Sequence, residues 1–279
     1  MPIRIVTDSA CDVPDAVCAD LGIEVVPLTI RFGEDEFVDR KELSTEEFWR
    51  RVESSSVLPE TAAPSVGAFE EVFRRLADEG ATGIVCVNLS SELSATIQSA
   101  QLAAKALDGL CPVEIVDSRS ASVGIGHLAL HAARRAREGA DLATLVSELE
   151  DRRDRSRLLG ALDTLEYLQR GGRIGGAQAF LGSLLSIKPV ITVRDGVVDK
   201  AGQVRTRSKA LRYIVDQVPA GRVESLAVMH AQAPDVDEFV AMLQEKIGDV
   251  AIDVGMIGPV VGVHAGPRTL GAVWVERPS

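Results

Sequence analysis

The sequence lacks the signatures that mark most membrane, metal and nucleotide proteins. No apolar run approaches the ~20 residues that a bilayer crossing needs, so integral membrane insertion is not expected. The chain opens directly on a strand-like run, Ile3-Arg4-Ile5-Val6, and no export signal is expected ahead of it. Cysteine is scarce. Cys11, Cys18, Cys86 and Cys111 show no tight metal-ligand spacing, and Cys86 sits in an apolar run that suits a buried thiol. Reduced cysteines and a cytoplasmic setting follow as the expectation. The histidines are His127, His131, His230 and His264. They form no His-Glu-x-x-His pattern and stand beside no serine elbow, so neither a metal site nor a serine hydrolase is suggested. A phosphate loop ending in Lys-Ser or Lys-Thr is missing, and so is a Gly-x-Gly-x-x-Gly fingerprint after the first strand. Positive charge is in deficit. A formal net charge of -11 makes nucleic acid and anionic membranes poor partners.

What remains is a globular composition. The 279 residues are 46% apolar and 25% charged, enough chain for one large or two medium domains. The first half alternates short apolar strands with amphipathic helices. Strands are expected at 3–6, 25–32, 82–89 and 112–116, and helices from Ser44, from Pro64-Ser65, over 94–107, 122–137 and 142–153. Such alternation argues for a parallel sheet with helices on its faces. The charged run Glu150 to Arg155 ends this region. The second half reads as a mixed sheet: strands at 158–162, 190–194, 197–198, 226–229, 252–256, 260–263 and 270–275, with helices over 165–168, 206–217 and 234–247. The expected fold is therefore α/β with two domains, an N-terminal parallel-sheet domain over 1–155 and a C-terminal mixed-sheet domain over 156–279.

Polar residues gather where the parallel strands would end: Thr7-Asp8-Ser9, Thr61, Ser65, Ser90-Ser91, Ser94, Thr96 and Asp117-Ser118. The carboxyl ends of strands form the ligand crevice of open α/β sheets, and short hydroxyls with helix N-termini favour an anion. The same residues also suit ordinary caps and turns. Two glycine-rich stretches, Arg170-Gly171-Gly172-Arg173 and Gly258 to Pro267, suit tight turns, the second as a strand–turn segment carrying His264. Arg205, Arg207, Lys209 and Arg212 form a basic set on an acidic chain, either plain surface charge or a docking face.

These motifs, in this order, resemble the DegV family of bacterial fatty-acid-binding proteins. Thr7-Asp8-Ser9 is similar to the family's opening Thr-Asp-Ser, and Thr61-Ala62-Ala63-Pro64-Ser65 to its Thr-Ser-x-Pro-Ser. Ser90 to Thr96 resembles Ser-Ser-x-Leu-Ser-Gly-Thr, and Asp117-Ser118 the Asp-Ser after a later strand. Leu168 to Ile174 and Leu184-Leu185-Ser186-Ile187-Lys188-Pro189 resemble the Leu-x-x-Gly-Gly-Arg-Ile and Leu-Leu-x-Ile-Lys-Pro runs. Arg205 to Leu211 resembles an Arg-rich segment, and Gly258 to Gly266 the closing Gly-Pro…His-x-Gly-Pro.

The resemblance implies a two-domain lipid carrier that is not itself an enzyme, with one long-chain fatty acid in an apolar tunnel between the domains. It implies a separate ATP-binding fatty acid kinase subunit that brings ATP and magnesium and phosphorylates the held carboxylate for phospholipid synthesis. This chain would need no cofactor beyond its lipid ligand. By match of motif, Thr61, Ser91 and Ser94 surround the carboxylate, with His264, Ser90 and Thr96 near it. Arg170, Arg173, Arg205 and Arg207 become candidates for kinase docking or for steadying the phosphoryl end. Ala62, Glu92, Ala95 and Arg268 depart from the family pattern and reshape the polar end. Two other readings stay open: a stand-alone enzyme on a small phosphate or carboxylate metabolite, and a regulator whose lipid occupancy signals to another protein.

Overall fold

The computed structural model describes residues 3–55, 57–107, 109–180 and 187–278. In chain order the first elements are β1 (Ile3–Asp8), a 3-10 turn (Ser9–Cys11), α1 (Asp15–Leu21), β2 (Ile23–Val26), β3 (Thr29–Phe32) and β4 (Asp35–Val38). There follow α2 (Thr45–Ser54), β5 (Glu60–Ala62), α3 (Val66–Asp78), β6 (Gly83–Asn88), α4 (Thr96–Lys105), β7 (Val113–Asp117), α5 (Val123–Arg137) and α6 (Leu142–Asp154). The second half holds β8 (Ser156–Ala161), α7 (Glu166–Arg170), a 3-10 stretch (Gly175–Phe180), β9 (Lys188–Arg194), β10 (Val197–Val204) and α8 (Arg207–Gln217). It ends with β11 (Val223–His230), α9 (Val236–Ile247), β12 (Ile252–Met256), α10 (Pro259–Ala265) and β13 (Leu270–Glu276).

The chain divides into two compact units. The first comprises Met1–Leu43 and Thr61–Asp154, the second Ser44–Glu60 and Arg155–Ser279. In the first unit β2-β1-β6-β7 form a sheet in which every pairing is parallel. Such a sheet needs cover on both faces, and β6 is buried along its whole length. One face meets α3 and α4 through Phe69, Phe73, Leu76, Ala100 and Ala103. Full burial of each phenylalanine ring stabilises the unit by roughly 1.5–3 kcal/mol. Helices α5 and α6 contact β1, β6 and β7. They bury Leu128, Ala132, Leu145 and Leu149. A small sheet, β4-β3-β5, completes the unit.

The second unit is built on a six-stranded sheet of order β10-β9-β8-β13-β11-β12. The β11–β12 pair is parallel and the other pairs are antiparallel, a mixed sheet as expected. The β9–β10 hairpin turns at Asp195-Gly196, both at positive φ, the geometry that suits the right-handed twist of the strands. Helices α8 and α9 pack on this sheet through Leu211, Ile214, Phe239 and Leu243.

Three expectations need correction. The extended run 25–32 is two strands, because Pro27-Leu28 breaks it between β2 and β3. The segment 260–263 is helical. Pro259 sits at the first helical position and Gly266 closes α10 at positive φ, a start and stop that outweigh the β-branched Val260, Val261 and Val263. Residues 44–60 belong to the second unit instead of the first. Ser44 caps α2 by accepting from Glu47 N at 3.2 Å, as its sequence suggests. The apolar face of α2 is Phe48 and Trp49, both fully buried. Trp49 Nε1 donates to Ile257 O at 2.9 Å, so this face packs beside α10. Of the Leu184 to Pro189 motif, residues 184–186 lie outside the described residues.

Gly262 is what lets α10 come so close. A Cβ there would stand 2.6 Å from Phe48 Cε1 and 2.8 Å from Trp49 Cζ2. Gly262→Ala is therefore expected to destabilise the protein by about 1–3 kcal/mol through overpacking. Urea unfolding checks this as a lower midpoint at unchanged slope. An unshifted midpoint would mean that the aromatic pair can move aside.

Candidate functional site

In the first unit the chain runs from β1 to β2 on one side and later from β6 to β7 on the other, so β1 and β6 flank a topological switch point. Ligands of open parallel sheets bind beyond the strand carboxyl ends at such points. β1 ends there in Asp8, which is fully buried. Its carboxylate accepts from Ala10 N at 3.1 Å, Asn88 Nδ2 at 3.0 Å and Leu89 N at 2.8 Å. Burial pushes its pKa above the usual carboxylate value, although these donors and the Arg40 charge pull the other way.

The serine loop that leaves β6 hangs from this clamp. Ser90 N donates to Ser120 O, and Ser90 O accepts from Leu93 N and Ser94 N. Ser90 Oγ accepts from Glu92 N at 3.3 Å. Ser91 Oγ donates to Asp117 Oδ2 at 2.6 Å, and Asp117 Oδ1 accepts from Arg119 N at 2.8 Å. Ser94 Oγ and Thr96 Oγ1 are 2.9 Å apart, and Ser94 Oγ also accepts from Thr96 N. The structure thus brings Ser90, Ser91, Ser94 and Thr96 into one bonded loop. Thr61 is placed on β5, half-buried, in the three-stranded sheet.

The roles of these hydroxyls divide. Ser65 caps α3 through Ala68 N, Ser9 Oγ receives Leu28 N, and Ser118 closes its own turn with Ser120. These are the caps and turns that the sequence left as one reading. Ser91 gives its proton to Asp117, so its partner is a carboxylate and not the imidazole a serine nucleophile needs. In the Ser94–Thr96 pair one proton lies between the oxygens and the other is not used by this contact. Thr96 is fully buried and Ser94 half-buried, so Ser94 is the hydroxyl able to turn outward.

In the second unit His264 lies on α10. Burial, reinforced by the Arg173 charge, lowers its pKa to about 4. The imidazole is therefore neutral near pH 7. The glycine-rich loop forms its wall. A Cβ on Gly171 would collide with the His264 ring, and Arg173 Nη1 donates back to Gly171 O at 2.6 Å.

The candidate arginines differ in freedom. Arg170 is exposed and pairs with Glu166 at 3.0 Å, and Arg205 is exposed. Arg207 is only 15% exposed and makes a bidentate pair with Asp235 at 2.8 and 2.9 Å. That pair holds Asp235 below the usual carboxylate range. Asp163 collects Lys188 at 2.8 Å, Arg268 at 3.3 Å and Arg207 at 3.9 Å. Sequence reasoning missed Asp163 and Asp235. Only the surplus of nearby cations hinted that counter-ions must exist. Among the described residues no group of three or more His, Cys, Asp or Glu side chains could hold a metal ion. No helix among them is long and apolar enough to cross a membrane.

Residues 2–277 match the model of the DegV family, a family described as uncharacterised. The chain belongs to the DegV family. It is 36% identical over 280 residues to a DegV domain-containing protein of Streptomyces coelicolor, covering 99% of each chain. Its fold is similar to a DegV-family protein of Thermus thermophilus described for its fatty acid binding, with a TM-score of 0.88 and 34% identity over 99% of this chain and 100% of that one. It is also similar to DegV of Bacillus subtilis, described as a fatty acid binding protein, with a TM-score of 0.89 and 30% identity over 99% and 100% of the two chains.

The His264 environment in this DegV-family chain sets a pH dependence. The folded pKa lies near 4 and the unfolded value near 6.5. The unfolded state then binds the extra proton between those values. The stability contributed by the neutral ring is complete above about pH 6.5 and is lost as pH falls toward 4. NMR titration should show the His264 ring signals unmoved from pH 8 to about 5. A midpoint near 6.5 would contradict the buried neutral ring.

Proposed function

We propose that this chain binds a long-chain fatty acid and presents its carboxylate to a separate ATP-dependent kinase subunit, which would form the acyl-phosphate. The observation that carries the reading is the full-length likeness, at 34% identity and a TM-score of 0.88, to a Thermus thermophilus relative described for fatty acid binding. The crevice chemistry supports it. A buried carboxylate needs donors, and Ser94 has a proton that the serine loop leaves unused. Each buried CH₂ of an acyl chain contributes about 0.8 kcal/mol, so the tail supplies affinity and the hydroxyls supply orientation.

In this reading Ser94 is the leading head-group donor. Thr96 sets its proton, and Ser91, tied to Asp117, shapes the loop. Thr61, Ser90 and His264 remain in the proposed ligand set, His264 as a neutral partner. Phosphoryl transfer needs metal and positive charge, and the partner would bring ATP and magnesium. The exposed Arg170 and Arg205 are the proposed docking contacts, whereas Arg173 bonds to Gly171 O and Arg207 to Asp235.

Denaturing extraction of the purified protein, followed by mass spectrometry, tests the carrier reading. Near-stoichiometric long-chain fatty acid is expected. A lipid-free protein that also fails to take up added fatty acid would overturn it. Titration of delipidated variants tests the head group. Ser94→Ala should weaken binding about 10-fold or more, the scale of a lost hydrogen bond to a charged group, and Ser91→Ala should weaken it less. The reverse order would make Ser91 the donor.

A further inference from the structure

One guanidinium of the first unit is ringed by carboxyl groups. Arg40 follows Asp39 in the turn after β4, and its side chain reaches the segment that leaves β1. Nη1 donates to Val13 O at 2.8 Å and to Asp15 Oδ1 at 3.0 Å, and Nη2 donates to Ser9 O at 3.4 Å. Arg40 thereby clamps the 3-10 turn and the start of α1 to its own turn. Backbone bonds bring Asp39 to the same place. Asp39 N donates to Leu28 O at 3.0 Å, and Leu28 N donates to Ser9 Oγ at 3.1 Å. Asp8 and Asp12 also face the guanidinium. The Cys11 thiol, 3.5 Å from Nη2, stays neutral because Cys18 and burial push it up.

Hydrogen-bond inventory tells these carboxyls apart. Asp8, Asp12, Asp15 and Asp39 would put excess negative charge around one cation, and Asp8 and Asp39 are fully buried. Asp8 accepts from its three donors. Asp12 Oδ2 receives Ser122 Oγ at 2.6 Å, and the Asp15 side chain is 74% exposed to water. Asp39 has no such support. Neither of its oxygens accepts a hydrogen bond from a protein group, and Ser9 Oγ stands near it outside bonding geometry. Burial raises the Asp39 pKa to about 6, although Ser9 and Arg40 pull the other way. Asp39 is therefore the carboxyl that keeps a proton.

The clamped segment is also strained. Asp12 (φ 52) and Arg40 (φ 64) lie in the left-handed region, as does Ser122 (φ 55), the residue bonded to Asp12. Such residues keep their conformation only while their surroundings hold them.

We propose that Asp39 is a proton-operated latch on the rim of the first unit. Protonated, it leaves Arg40 on Ser9, Val13 and Asp15. Ionised, it draws the guanidinium to itself, because a buried carboxylate without a partner is costly, and the segment 9–15 is released. The far end of α1 stays in place, since Arg137 bonds to Asp20 there. The folded state binds the extra proton between the ordinary value of 3.8 and about 6. The clamp is thus complete at the acid end of that window and is lost as pH rises through about 6.

Carbon-detected NMR titration of the Asp39 carboxyl in the full-length protein is the first test. A midpoint above about 5 is expected, and one below it would overturn the proposal. Amide hydrogen exchange then reads the latch. Asp39→Asn keeps position 39 neutral at every pH and leaves any step from Asp8 in place. The amides of Cys11, Asp12, Val13 and Asp15 should exchange at equal rates in wild type and Asp39→Asn at about pH 5. At about pH 7.5 the wild type should be about 10-fold faster, the scale of one pKa unit. Equal rates at both pH values would sink the latch. Arg40→Gln should exchange fast at both and lose the extra pH step, and a step that survives without Arg40 would also count against it. If Asn at position 39 unfolds the unit, the wild-type titration and Arg40→Gln still decide.

Discussion

The first unit depends on one buried carboxylate. Asp8 sits at the end of β1, where the sheet switches direction, and it holds three donors from two chain segments that are far apart in sequence. Leu89 N and Asn88 Nδ2 both donate to this fully buried carboxylate, so an apolar residue at position 8 would take away the acceptor they share. The raised pKa of Asp8 says that burial costs more than these bonds return. That cost is accepted where the strand ends must be fixed to each other, because everything from Ser90 to Thr96 is positioned from Leu89. The parallel sheet supplies the crevice, and Asp8 decides where its rim lies.

Proton count then separates the hydroxyls more sharply than their positions do. A serine that donates to a carboxylate, as Ser91 does to Asp117, has nothing left to give an anion. Ser9 and Ser118 receive backbone N–H groups and act as fixed points of their turns. The Ser94–Thr96 pair alone in this loop contains two hydroxyl protons and only one oxygen-to-oxygen contact to fill. The same counting disfavours Ser91 as a hydrolase nucleophile, since it is bonded to an acceptor that would hold its proton and not shuttle it.

Much of this architecture was legible in the residues. Strand–helix alternation gave the parallel sheet, and Ser44, Ser65 and Thr206 marked helix starts that the structure keeps. The family's motif order, not periodicity, carried the expectation of a lipid carrier. What sequence could not supply was tertiary. Val260, Val261 and Val263 favour a strand locally, and only Pro259, Gly262 and the aromatic wall of Phe48 and Trp49 make α10 a helix. Those same aromatics draw residues 44–60 into the second unit, a long-range choice with no local signal. The strand β4 and the small sheet around it went unread, because Asp35–Val38 has no apolar alternation.

Charge pairing in the second unit decides what a partner could meet. A basic set on a chain of net charge -11 suggests a docking face, but most of the nearby positive charge is already spent inside the unit. Asp163 and Asp235 between them engage Lys188, Arg207 and Arg268, and a buried or half-buried arginine held by a bidentate carboxylate does not leave it for a rim contact. Arg173 is likewise turned back onto Gly171 O. The outward charge that survives is Arg205, Lys209 and Arg212 around the start of α8, whereas Arg170 at the end of α7 is exposed but paired with Glu166. Long-range attraction of an acidic partner would come from that set. The clamped cations would instead keep the loops that carry it in place, so the two groups of arginines, close in sequence, serve orientation and recognition separately.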